Sequence, residues 1–267
     1  MTDASALGPA QIVKPDSYEA LRLQLELKRP RDVSGVAVCG GCRGPVSGDA
    51  WNCAACAAKN VEDARARELD LAIIGGLMPA RSSLPSWGWA RVGDALFAER
   101  VADPRLRGVA RAWVPDRGSL MISGASGVGK TATLHAIADR LLRAAESAAR
   151  AARTLKTPLY QAARCIRWVS ALDLVAARRG HALGRGEAPL WEGASHSSIL
   201  FIDELGQEQA HAGWLLEMLD SRYRRGARTL TSSGLPRAEL EGRYGSGACR
   251  RLIEPGGAFL DLFGSVG

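Results

Sequence analysis

The stretch Ser119–Leu134, SLMISGASGVGKTATL, constrains this chain more than any other. A short apolar run leads into Gly124-Ala-Ser-Gly-Val-Gly129-Lys130-Thr131, which matches G-x-x-x-x-G-K-[ST] in full, and an Ala/Leu-rich helical pattern then runs from Thr131 to Arg153. Glycines let consecutive backbone N–H groups converge on a phosphate, and the following helix N-terminus adds partial positive charge. In such a loop the lysine reaches the β- and γ-phosphates and the threonine hydroxyl ligates Mg²⁺. Gly124, Ala125, Ser126, Gly127, Val128, Gly129, Lys130, Thr131 and Ala132 are therefore the candidate nucleotide-binding residues, with Thr131 also a magnesium ligand.

The chain beyond the loop alternates strand and helix patterns. CIRWVSALDLVAARR reads as a strand then a helix, and SSILFIDEL as a strand buried on both faces. GWLLEMLDSRYRRG is a helix closed by Gly226, and ARTLTSSGLP is a strand entering a turn. Alternation of this kind predicts a parallel sheet with helices on both faces.

Asp203-Glu204 closes the most apolar of these strands. Core packing does not account for carboxylates there, because an isolated buried charge is costly. Beside a phosphate loop, Asp203 holds the Mg²⁺ shell and Glu204 polarises the attacking water. A strand around Cys165–Ser170 lies between the two motif strands in sequence. That spacing separates ATPases with an additional strand from simple kinases and GTP switches.

Four of the six cysteines, Cys39, Cys42, Cys53 and Cys56, form C-x2-C-x10-C-x2-C. The spacing fits four thiolates around one zinc ion, a closed and hence structural site. The glycines of CGGC are expected to supply the sharp reversal that turns both sulfurs of a pair inward. No apolar run approaches the ~18 residues that span a bilayer. The start, MTDASALGPAQIVKPDSYE, lacks the pattern of a secretory signal, so a cytoplasmic protein is expected. In that reducing compartment paired cysteines favour metal over disulfides. The net charge of +7 permits nucleic-acid contact without requiring it. SRYRRGAR, with Arg222, Arg224, Arg225 and Arg228, is either a backbone contact for single-stranded DNA or a solvated helix end. The seven Trp are scattered and the four His show no metal spacing. SYEALRLQLELK is read as a helix.

From about Ile73 to Glu254 the ordered motifs resemble the DnaC/IstB-type AAA+ ATPases, helicase loaders and their transposition-helper relatives. The resemblance rests on GLMPARSSLPSW, GASGVGKTATLHAIADRLL, IRWVSALDLV, ILFIDELG, LLEMLDSRYRRG, TLTSSGLPRAEL and RYGSGACRRLIE. It implies an AAA+ P-loop NTPase fold, a parallel sheet flanked by helices, to which the cysteine spacing adds a small N-terminal zinc ribbon. The corresponding divisions are 1–60 for an N-terminal helix and zinc module, 61–110 for a helical connector and 111–267 for the ATPase domain. It implies ATP and Mg²⁺ as ligands, beside the Zn²⁺ expected from the cysteines, and a replicative helicase, single-stranded DNA and further copies of the chain as partners. Arg251, with Arg250 as its rival, matches the arginine that completes a neighbouring subunit's site. A transposition helper acting on duplex DNA, and a nucleotide-gated adaptor without useful hydrolysis, are the alternatives. The zinc module is expected to bind protein or DNA. The sequence departs from the family at Gly234, where an asparagine is usual and Ser232 or Ser233 would substitute, and no arginine follows Arg251.

Overall fold

The protein is described here by a computed structural model, which describes residues 30–32, 37–46, 50–85, 95–182, 184–208, 212–254 and 256–263. The helix expected in SYEALRLQLELK and the Trp-bearing end of the connector, 86–92, lie outside these residues. The backbone divides into two compact units, Met1–Glu68 and Leu69–Gly267.

In the first unit, antiparallel bridges join Arg31 to Ala37 and Val38 to Pro45, and the chain then enters helix α1 (Ala54–Ser83). The pattern VEDARARELDLAII is helical as expected, but the helix also continues through Gly75, Gly76 and Pro79. Tertiary contacts outweigh these weak helix formers. Ile73, Leu77 and Ala80 form a buried stripe at i, i+4 and i+7. Tyr160 donates its hydroxyl to the Ile73 carbonyl at 3.0 Å, which Gly76 permits because a Cβ there would lie 2.2 Å from that oxygen.

The second unit continues with α2 (Ala95–Arg100), α3 (Pro104–Ala112), β1 (Leu120–Ser123), α4 (Lys130–Ala152) and α5 (Pro158–Ala163). Next come β2 (Ile166–Ser170), α6 (Ala171–Gly180), α7 (Pro189–His196), β3 (Ile199–Leu205) and α8 (Ala212–Arg224). The chain closes with β4 (Arg228–Ser233), α9 (Arg237–Tyr244), α10 (Ser246–Arg251) and β5 (Ala258–Asp261). Four helices carry N-terminal prolines or Ser/Thr/Asp caps that fit their first turns. Asp103 caps α3, Thr157 caps α5 and Ser170 caps α6, while Pro189 opens α7.

The five strands form one sheet in the order β2-β3-β4-β1-β5, with every pair parallel. The result is a parallel α/β sheet flanked by helices. β3 alternates between two cores. Ile199 and Phe201 pack with Ile137, Leu141 and Tyr160 on one face, while Leu200 and Ile202 pack with Leu174, Leu215 and Leu240 on the other. The strand that separates the loop strand β1 from the acidic strand β3 in space is β4; β2, which lies between them in sequence, sits at the sheet edge. β5, which carries no expectation from the pattern, pairs with β1 at the opposite edge.

Candidate nucleotide and metal sites

The phosphate loop crosses from β1 to α4 at the carboxyl end of the sheet, where parallel α/β folds place their ligands. Gly129 caps α4 with φ +95°, and Gly127 also has positive φ. A Cβ at Gly129 would stand 2.7 Å from the Arg100 carbonyl oxygen, so the loop and the end of α2 approach as only glycine allows. Ser126, Gly127, Gly129, Lys130, Thr131 and Ala132 line a cavity of about 440 Å³, joined by Glu99, Arg100, Glu204, Gln207, Ser232 and Gly234. Gly124, Ala125 and Val128 do not line it. Gly124 packs under Leu262, and Val128 packs against the core. The Ala125 carbonyl instead accepts from Lys130 Nζ at 2.7 Å, as Gly124 does at 2.8 Å. Burial pulls the Lys130 pKa down, while Asp203 and Glu204 pull it back up.

The acidic pair is brought to the loop by a bulge in β3. The register between β3 and β4 shifts between Ile202 and Leu205, and Glu204 takes a left-handed φ of +58°. A non-glycine residue in that region is strained and persists only where its surroundings hold it. In this conformation Asp203 is buried and Glu204 is exposed at the cavity. Thr131 Oγ1 donates to Asp203 Oδ1 at 3.0 Å, and Ser232 Oγ donates to the same oxygen. Ser232 Oγ also accepts from the Glu204 N–H at 3.0 Å. Thus Ser232 supports the acidic pair. Ser233 is committed elsewhere, donating to the Leu205 carbonyl. Octahedral Mg²⁺ with ligands at about 2.05 Å separates adjacent oxygens by about 2.9 Å. Thr131 Oγ1 and Asp203 Oδ1 match that spacing. Of the lining residues, Glu99, Arg100 and Gln207 carry no motif signal and are found only through the fold.

Arg251 does not reach this cavity. It is exposed on α10 and pairs with Asp220 of α8 at 3.0 Å, an aspartate that also binds Arg224. The arginines of the basic run SRYRRGAR divide, with Arg224 and Arg225 exposed at the end of α8 and Arg222 inside. Arg222 is fully buried and donates to the carbonyls of Ala194, Ser197 and Arg228 and the hydroxyl of Thr229. Arg228 donates to the Pro115 carbonyl at 2.8 Å, Arg225 to the Ser195 carbonyl, and Arg224 pairs with Asp220.

In the first unit the Sγ atoms of Cys39, Cys42, Cys53 and Cys56 lie within 4.8 Å of one another, with Cys42 and Cys53 at 3.7 Å. A tetrahedral thiolate site with metal–sulfur bonds of about 2.3 Å has sulfur–sulfur edges of about 3.8 Å. The four cysteines fit a metal ion. Backbone N–H groups, Cys42's first, draw the Cys39 thiol down to about 6. Contact with Cys39 pushes the Cys56 thiol up to about 12. Such crowding of sulfurs is what a bound cation relieves. The expected glycine reversal differs in detail. The residue with positive φ is Arg43, at +63°, and Gly41 matters for space, since a Cβ there would stand 3.1 Å from Cys56 Sγ. The tip of the intervening loop, 47–49, lies outside the described residues.

No described helix is long and apolar enough to cross a membrane. No protein-family model matches the chain, and no curated protein sequence matches it. Among solved structures, the chain is similar to one titled the DnaC helicase loader, at 19% identity and a TM-score of 0.44, over 64% of this chain and 96% of that one. It is similar to DnaI at 16% identity and a TM-score of 0.43, over 66% and 88% of the two chains. It is also similar to AMPPCP-bound DnaA from Aquifex aeolicus at 16% identity and a TM-score of 0.41. That match covers 61% of this chain and 46% of the DnaA chain, so the chain spans less than half of that protein.

Proposed function

We propose that the chain is an ATP-hydrolysing, helicase-loader-type AAA+ protein that binds a replicative helicase, single-stranded DNA or both, and uses ATP to control assembly. The observation that carries the ATPase reading is the meeting of Thr131 Oγ1 with the buried Asp203 Oδ1 at 3.0 Å, behind the cavity that Lys130, Thr131 and Glu204 line. Lys130 leaves its loop carbonyls to bind the β- and γ-phosphate oxygens. Thr131 and Asp203 would hold Mg²⁺, which when bound would supply positive charge to neutralise the phosphates. Glu204 orients a water and takes its proton as the water oxygen bonds to phosphorus and the β–γ bridge breaks. Ser232 holds Asp203 and Glu204 in place for that step. Arg251 exchanges Asp220 for the phosphates of a neighbouring copy, an exposed pair being worth little enough to give up. Cys39, Cys42, Cys53 and Cys56 hold zinc, which takes the place of a core in a unit with few apolar residues.

A second cavity, of about 470 Å³, supports the nucleic-acid part. Arg178 pairs with Glu187 at 3.4 Å and Glu217 at 3.1 Å and lies 5.2 Å from the Trp214 ring, over the buried Trp191, while Arg179 is exposed at the rim. Arginines beside a half-exposed indole are what unpaired bases and their phosphates bind. Turnover measured with single-stranded and duplex DNA, in the wild type and in Glu204→Gln, tests the reading. Hydrolysis stimulated by single strands and abolished by Glu204→Gln is expected. Stimulation by duplex alone would favour the transposition helper, and equal rates in the two proteins would remove catalysis.

A further inference from the structure

The strained turn that carries Glu204 is gripped from outside the cavity by α9. Glu208 is 1% exposed, and its two oxygens are both used. Oε2 accepts the Gly206 N–H at 3.0 Å, and Oε1 accepts the Tyr244 hydroxyl, itself 4% exposed. The next residue back on α9, Arg243, donates to the Gly206 carbonyl. Gly206 therefore has its N–H held by Glu208 and its carbonyl held by Arg243, two residues after Glu204. Its φ is +101°, and a Cβ there would meet Leu235 at 2.5 Å, so this turn has one shape. A buried carboxyl is retained at a cost unless it is hydrogen-bonded, and this one has no role in the nucleotide chemistry described above.

We propose that Glu208 and Tyr244, with Arg243, are positioning residues that fix the aim of Glu204 at the attacking water. The proposal rests on the reading of Glu204 as the group that activates water. Strain at Glu204 has to be stabilised by the surrounding contacts, and on the turn's outer side these three side chains supply them. Without the Tyr244 hydroxyl, Glu208 loses its anchor, the Gly206 turn relaxes, and the Glu204 carboxylate drifts from its working position. Because α9 runs directly into α10, which carries Arg251, the grip also places the turn in register with the helix pair offered to a neighbouring copy.

The test is Tyr244→Phe, alone and combined with Glu204→Gln, with ATP affinity, thermal midpoint and turnover read together. A small displacement of a reacting group costs on the order of ten- to a hundredfold in rate. Tyr244→Phe is expected to lower kcat about tenfold or more while ATP affinity stays within about twofold. In the Glu204→Gln background it is expected to have no further effect. Glu208→Gln can accept the Gly206 N–H through its oxygen and donate to the Tyr244 oxygen through its nitrogen, so it should restore turnover that Glu208→Ala loses. Wild-type turnover in Tyr244→Phe, or a parallel loss of affinity, stability and rate, would overturn the proposal. Should Tyr244→Phe not fold, Arg243→Met removes the Gly206 carbonyl's donor and carries the same expectation and the same refutation. A wild type no faster than Glu204→Gln would instead bring down the catalytic reading on which the proposal stands.

Discussion

Arg222 offers the sharpest test of how this sheet is braced. The side chain is 0% exposed and, among the described residues, pairs with no carboxylate; its guanidinium donates to neutral acceptors. The carbonyls of Ala194, Ser197 and Arg228 accept at 2.8, 2.8 and 2.6 Å, and the hydroxyls of Ser197 and Thr229 at 3.0 Å. Burial pulls the guanidinium down to about 9, so it remains charged at neutral pH. Arg222→Met keeps the stem and removes these donations, together with a longer one to the Ser195 carbonyl at 3.3 Å. Three buried carbonyls then lose a partner, at about 1–3 kcal/mol each, offset by no longer burying a charge. The orphaned carbonyls, less the relief of that burial, leave a net loss of about 3–5 kcal/mol. At about 2–4 °C per kcal/mol for a unit of this size, the thermal midpoint should fall by about 10 °C. Arg222→Lys keeps the charge but not the planar fork and should lose nearly as much. Urea and thermal unfolding, with strand binding measured on the same samples, decide the matter. A loss below about 1 kcal/mol would refute the bracing role. So would weakened DNA binding at unchanged stability, which would return Arg222 to the surface.

Three further outcomes are expected. Ser232→Ala should lower turnover about tenfold with ATP affinity retained, because Asp203 and the Glu204 N–H both lose a partner while the phosphate loop is untouched. Substituting Co²⁺ should give tetrahedral tetrathiolate absorption at one ion per chain, and Cys42→Ser should abolish it; absorption unchanged in Cys42→Ser would refute the four-cysteine site. Burial holds the His135 imidazole down at about 4, below its ordinary 6.5. The unfolded chain therefore takes up the proton first as pH falls. Stability from this group is complete above about pH 6.5 and drops toward pH 4, by at most about 3 kcal/mol. His135→Leu should flatten that acid limb in urea midpoints measured from pH 7.5 to 4.5.

Local patterns that encode their own geometry were legible in the sequence. The phosphate loop, its helix, the two-faced strand 199–205 and the closing Gly226 all read out directly, because spacing and turn chemistry act over a few residues. The cysteine spacing was sufficient for the metal cluster in the same way, and the structure brings all four sulfurs together. The helix through Pro79 was less legible, since three buried apolar residues and the Tyr160 hydroxyl override local propensity there.

What only the tertiary structure decided is how residues far apart in sequence share their bonds. Residue types alone left Ser232 and Ser233 equivalent; the pleat gives one to Asp203 and the other to the Leu205 carbonyl. The basic run 222–228 looked like a surface, and the fold spends Arg222 inside on backbone carbonyls more than 20 residues away in sequence. Glu208 carried no signal at all until Tyr244 was found 36 residues later against it. Sequence determines chemistry that is local in the chain, whereas burial and long-range hydrogen bonding decide which of several equivalent side chains is free to act.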